Sequence, residues 1–178
     1  MKHNECPPSK QIRKKLRLEN YDYRSPGAYF VTICTQGHQP ILGKIFNQNV
    51  ELTWKGKIVH DLWEEIPQHF SIVKLDEFVV MPNHVHGIIW IVEQNTSMPH
   101  PQEKFSSLNP QIGSLGVIVR SFKSAVTRKV NQNSHTPGVR FWQRSFHDHI
   151  LRNDNDLDHH RKYILENPIR WKLDEYYR

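Results

Sequence analysis

The densest concentration of potential chemistry lies in MPNHVHGIIW, residues 81–90. On a β-strand, residues two apart share a face. His84 and His86 therefore project together while Val85 packs behind them. Two neutral imidazoles a few ångströms apart form a ready pair for a divalent metal ion. Ordinary sheet-surface histidines with conventional hydrogen bonds are the competing reading of any H-x-H. His147-Asp148-His149, in SFHDHILR, repeats the spacing, but Asp148 on the opposite face implies a wetter strand. The apolar flanks of His84 and His86 suit a rigid central strand, so the metal reading goes to that pair. His149 is left with a supporting or DNA-contacting role.

The third constellation is NDLDHHRKYILENP, residues 155–168. His159, Tyr163 and Asn167 recur every four residues, and His160 precedes Tyr163 by three, making one polar stripe on a helix. Leu157, Ile164 and Trp171 make an apolar one. A phenol on that stripe, facing a metal site, is a candidate nucleophile. Asn167, one turn later, offers a carboxamide oxygen, and His159 and His160 are candidates for supporting or DNA-contacting roles. The plainer reading makes Tyr163 a core-edge residue and Asn167 a helix terminator before Pro168.

These residues need elements to hold them. AYFVTICTQ (28–36) has the β-branched and aromatic content of a strand. Residues 41–53 predict a short two-stranded excursion turning at Asn47–Asn49. LTWKGKIVHDLWEEIPQHF (52–70) spaces Ile58, Leu62 and Ile66 four apart, which predicts an amphipathic helix. VKLDEFVV (73–80) and HVHGIIWIVE (84–93) read as a hairpin through Met81-Pro82-Asn83. SLGVIVRSFKSAVTRKVN (114–131) predicts a helix, FWQRSFHDHILR (141–152) a strand, and 155–168 a helix capped near Asn155 or Asp156. Two βαβ-like halves around one hairpin imply an α+β sandwich, with helices packed on a mainly antiparallel sheet. Residues 1–27 read as a basic arm, 28–178 as a single domain, and 94–113, with three prolines, as a flexible loop within it.

Composition excludes several classes. The chain has 178 residues and carries a formal charge of +6, with mean hydropathy −0.68. It contains no apolar run approaching the roughly 20 residues of a membrane span and no signal-peptide core at its start, so a cytoplasmic location is expected. Two isolated cysteines, Cys6 and Cys34, rule out a disulfide scaffold and a cysteine zinc cluster. There is no GxxxxGK[ST] and no GxSxG. The basic excess suits a polyanion. Arg13, Lys14, Lys15, Arg17 and Arg24 at the N-terminal end, and Arg120, Lys123 and Arg128 on one helix, are candidates for contacts to the backbone of such a polyanion, with plain solubilising charge as the competing reading.

Together, MPNHVHGIIW, FWQRSFHDHILR and HRKYILENPIRW resemble the REP-associated tyrosine transposases, within the HUH single-strand transposases that use one catalytic tyrosine. The resemblance implies a ferredoxin-like fold, and it implies a divalent ion on His84, His86 and Asn167. It also implies attack on DNA by Tyr163 through a 5′-phosphotyrosine intermediate. Mg²⁺ or Mn²⁺ is the expected ion, imidazole suiting Mn²⁺ better. Single-stranded or hairpin DNA is the expected partner, with the protein acting as a monomer or homodimer and no membrane involved. A domesticated relative that only binds or processes repeat hairpins is the alternative. An RRM-type binding module is disfavoured, because the strand where stacking aromatics would stand carries HVH instead.

Overall fold

A computed structural model describes residues 21–93 and 113–177. The proposed arm residues Arg13, Lys14, Lys15 and Arg17, and nearly all of the predicted 94–113 loop, lie outside the described residues. The elements run β1 (Gly27–Cys34), β2 (Gly43–Phe46), β3 (Asn49–Leu52), α1 (Trp54–Glu64), α2 (Ile66–His69), β4 (Val73–Val80), β5 (His84–Ile91), α3 (Leu115–Ser134), β6 (His147–Leu151) and α4 (Asp154–Glu166). Four strands form one sheet in the order β4-β5-β1-β6, every neighbouring pair antiparallel. Each βαβ crossover leaves a gap that the other half fills. That is the ferredoxin-like α+β sandwich the element order implies.

Alternation on the central strands sends side chains to two different layers. Tyr29, Val31 and Ile33 of β1 and Val85 and Ile89 of β5 join Val59 and Trp63 of α1 and Ile118, Phe122 and Val126 of α3 in the larger core. Ala28, Ile88 and Leu151 turn the other way, onto Leu157 and Ile164 of α4. Phe30, Thr32, His84 and His86 alternate onto this second face, so α4 covers the layer that carries the histidine pair. Gly87, between Val85 and Ile89 on the larger-core side, lets the Trp63 indole lie against the strand. A Cβ there would collide with Trp63 and stand 3.0 Å from the Phe78 Cβ. Gly87→Ala is expected to destabilise the fold by about 1–3 kcal/mol, read as a lower urea midpoint.

α4 is also pinned sideways. The Arg161 guanidinium grips Asp76 of β4 through Nε (2.9 Å) and Nη2 (2.7 Å), and Trp90 Nε1 donates to the same carboxylate at 2.9 Å. The Arg161 hydrogen bonds hold the Asp76 carboxyl down at about 2. A carboxylate depressed below its unfolded value stabilises the fold above about pH 4 and loses that contribution as pH falls through about 2. Asp76→Asn is expected to cost about 1–2 kcal/mol at pH 7, and the gap to wild type should close between pH 4 and 2 in thermal melts.

Four element boundaries differ from the sequence expectation. The predicted 52–70 helix divides at Glu65, where Pro67 enters the first turn of α2; proline has no N–H to continue the ladder. α3 runs on to Ser134, ended by His135 in the left-handed conformation. α4 begins earlier than predicted, because the capping side chain is Asn153, whose Oδ1 accepts from Asp156 N at 2.9 Å. The predicted 141–152 strand is paired only over His147–Leu151. Upstream, Trp142 makes a single bridge to Thr35. The Lys123 ammonium gathers the carbonyls of Gln143 (2.7 Å), Arg144 (3.1 Å) and Ser145 (3.3 Å), which do not join the ladder.

A histidine, tyrosine and carboxylate centre as candidate active site

β5 lies between β1 and β4, and both histidines face α4. Their rings meet at 4.2 Å between centroids and 66°, and both are essentially fully buried. Asn83, in the tight turn before the strand, donates through Nδ2 to the carbonyls of His38 (3.1 Å) and Tyr176 (2.7 Å). Its Oδ1 therefore faces His84 Nδ1, 2.8 Å away, as an acceptor. This network puts the proton on Nδ1. His84 Nε2 keeps its lone pair, buried and without a hydrogen-bond partner. Thr32, opposite His86 in the β1 register, sits 2.8 Å from His86 Nδ1. Burial lowers the His84 pKa to about 4, with Asp174 pulling the other way, and pushes His86 well below its ordinary value. Both imidazoles are neutral at pH 7, the form that binds metals.

α4 brings Tyr163 and Asn167 to the same place. The Tyr163 hydroxyl lies 3.4 Å from His86 Nε2 and donates to Asp174 Oδ2 at 3.3 Å. Phe30 meets the phenol edge-on at 6.0 Å and stacks on His86 at 5.3 Å. Asn167, the C-cap residue of α4, donates through Nδ2 to Asp174 Oδ2 at 2.7 Å. That bond leaves its buried Oδ1 without a partner. Donor atoms of His84, His86 and Asp174 all lie within 4.8 Å of one another. Two imidazole nitrogens and a carboxylate thus converge beside one phenol, with the Asn167 amide resting on the carboxylate. Burial, then the Asp174 charge, raises the Tyr163 pKa, so the phenol is protonated at neutral pH. A cavity of about 530 Å³ opens on Tyr163, His86 and Thr32.

Sequence reasoning missed Asp174, Asn83 and Thr32; the polar C-terminal tail that carries Asp174 has no periodic pattern that would place it over the site. The tail folds over the histidines. A 3₁₀ turn at Trp171–Leu173 places the Trp171 ring 5.9 Å from His84, and Tyr176 packs 4.9 Å from His84 and 5.9 Å from His86. Asp174 Oδ1 accepts from Tyr176 N at 2.7 Å, which fixes the carboxylate. Asp174 adds a negative charge to a donor set that reads as neutral from His84, His86 and Asn167 alone. Tyr177 lies against Trp171, and no ring contact or hydrogen bond among those described joins it to the histidines.

The remaining predicted residues separate into two groups. His149 and His160 stack near the start of α4, at 4.9 Å and 17°; His159 is exposed, 5.5 Å from His160. Arg24, Arg120, Lys123 and Arg128 line a groove of about 1280 Å³ along α3, together with Arg140 and Arg144. α3 lies on the sheet face opposite α4. Arg24 is paired with Asp22 at 2.7 Å, and the Lys123 donors reach the three carbonyls of the 143–145 segment.

No family model matches the chain. An uncharacterized Haemophilus influenzae protein is 41% identical over 169 residues, 93% of each chain. A second protein of that organism, provisionally named a REP-associated tyrosine transposase, is 23% identical over 86% of this chain and 77% of its own length. The REP-associated tyrosine transposase of Escherichia coli is 29% identical over 54% of this chain and 45% of its own. The fold matches a solved REP-associated tyrosine transposase bound to a REP hairpin, with TM-score 0.55, 21% identity, and coverage of 91% of this chain and 76% of that one. By sequence the chain is thus similar, at modest identity, to REP-associated tyrosine transposases, and its fold is similar to that of a solved one.

Proposed function

We propose that the protein is a metal-dependent single-strand DNA endonuclease and strand transferase acting on hairpin or repeat DNA, with Tyr163 as nucleophile. The observation that carries this reading is the Tyr163 hydroxyl standing 3.4 Å from His86 Nε2 and 3.3 Å from Asp174 Oδ2. His84 Nε2, His86 Nε2 and Asn167 Oδ1 are the atoms that would hold the ion, with Asp174 close enough to join them. Two of these, His84 Nε2 and Asn167 Oδ1, are buried without partners, an arrangement costly unless something binds there. Bound Mn²⁺ or Mg²⁺ would supply Lewis-acid stabilisation of the charge on the phosphate.

The chain's own residues do the rest. The Tyr163 oxygen attacks the scissile phosphorus, and the bond from phosphorus to the 3′ oxygen breaks. A 5′-phosphotyrosine and a free 3′-hydroxyl result, so the phosphoester is conserved for rejoining and no nucleotide is consumed. The phenol proton passes to Asp174 Oδ2, which already accepts it as a hydrogen bond, and the departing 3′ oxygen takes a proton from solvent. Phe30 and His86 hold the phenol ring, and Asp174 orients the Asn167 amide. The groove beside α3 suits phosphate contacts through Arg120 and Arg128; Lys123, engaged with three carbonyls, is assigned to holding the 143–145 segment.

The test is incubation with labelled single strands and hairpins from repeats flanking the gene, with Mn²⁺ or Mg²⁺. A protein-linked DNA band on a denaturing gel that EDTA abolishes is expected. Hairpin binding without any such band would favour a relative that only binds repeats. Asn83→Ala is expected to weaken Mn²⁺ binding by about 10–100-fold, because the imidazole of His84 loses the acceptor that sets its tautomer. Asn83→Asp keeps an acceptor for His84 Nδ1 but loses the donor to the His38 and Tyr176 carbonyls, so it should restore only part of the affinity in the same titration.

A further inference from the structure

Away from Tyr163, a second set of side chains converges where β6 meets the start of α4. His149 Nε2 lies 3.0 Å from Asp156 Oδ2, and His160 Nδ1 lies 3.2 Å from Asp156 Oδ1. The two imidazoles are nearly parallel at 4.9 Å, both aimed at one carboxylate. Ligand atoms of all three residues lie within 4.8 Å of one another. Two donors on one ion, at bonds of about 2.1 Å, stand roughly 3.4 Å apart when tetrahedral. The two imidazole-to-carboxylate separations are within about half an ångström of that spacing. We infer that His149, Asp156 and His160 form a second divalent-metal site, for an ion of the zinc class, that ties the edge strand β6 to the helix carrying Tyr163.

The donor chemistry selects the ion class. Two imidazoles and one carboxylate suit Zn²⁺ and its neighbours, whereas Mg²⁺ and Ca²⁺ favour all-oxygen shells. Three protein ligands leave a further position for water, and His149, with a half-exposed side chain, provides the way in. His160 Nδ1 is also 2.8 Å from the Asp156 carbonyl, so without an ion its N–H donates there. Metal binding would displace that proton into solvent. The positive end of the α4 dipole disfavours a cation, and Asp154 and Asp156 in the first turn offset it. The site reaches Tyr163 by contact: the His160 ring lies 4.7 Å from Phe30, which meets both His86 and the phenol.

The test is Zn²⁺ titration of the full chain by calorimetry, comparing wild type with His149→Ala, Asp156→Asn and His84→Ala. Since His149 is at the surface, His149→Ala should keep the wild-type circular dichroism. One fewer Zn²⁺ bound at micromolar affinity is expected in both His149→Ala and Asp156→Asn, with proton release smaller by a matching step. His84→Ala reports separately on the centre at Tyr163 and should leave the β6–α4 ion in place. An unchanged Zn²⁺ count in both His149→Ala and Asp156→Asn would overturn the inference.

Discussion

Tyr163→Phe is expected to reduce covalent protein–DNA adduct by roughly 10⁴-fold or more, below detection on a denaturing gel. The substitution removes one oxygen and leaves the ring that packs against Phe30 and His86. The lost hydrogen bond to Asp174 is worth about 1 kcal/mol, so the variant should fold and should bind hairpin DNA within about twofold of wild type. Tyr176 also packs its ring on the histidines, 4.9 Å from His84. Retained adduct with normal yield would remove Tyr163 from the chemistry.

His86→Ala is expected to lower cleavage by at least about 100-fold, and the Mn²⁺-induced rise in melting temperature should shrink with it. His86 does three things at once. It offers Nε2 to the centre, lies 3.4 Å from the Tyr163 hydroxyl, and fills the fully buried space beside Thr32 and Phe30. Its loss also opens a cavity, so a stability cost of about 2–4 kcal/mol is expected. His84→Ala should lose the metal response as fully. Melting temperatures measured in EDTA separate the packing loss from the metal loss.

Much of this centre was legible because it depends on local periodicity. A period of two put His84 and His86 on one face. A period near four put Tyr163 and Asn167 on one stripe of α4. Apolar flanks predicted that β5 would be central, and it is. The α+β class, with helices packed on a mainly antiparallel sheet, followed from alternating strands and helices. Asp174 was not legible. It lies in a polar tail with no periodicity, and its place depends on the 3₁₀ turn at Trp171–Leu173 returning the chain over the histidines. Asn83 reads as turn chemistry before it reads as the residue that fixes a tautomer. Thr32 becomes visible only once β1 and β5 are in register. Lys123 looked like a phosphate contact because it shares a helix face with Arg120 and Arg128. Its carbonyl partners come from a segment about 20 residues downstream, beyond the reach of any helical pattern.

The most direct measurement is the identity of the amino acid joined to DNA. Wild-type protein, Mn²⁺ and a hairpin oligonucleotide would be quenched in denaturant, digested with trypsin and nuclease, and read by tandem mass spectrometry. Cleavage after Lys162 and Arg170 should release Tyr163-Ile164-Leu165-Glu166-Asn167-Pro168-Ile169-Arg170 carrying a 5′-phosphonucleotide on its tyrosine. A modified peptide containing Tyr176 or Tyr177 instead, or DNA cut with no peptide attached, would contradict the assignment of Tyr163 as the nucleophile.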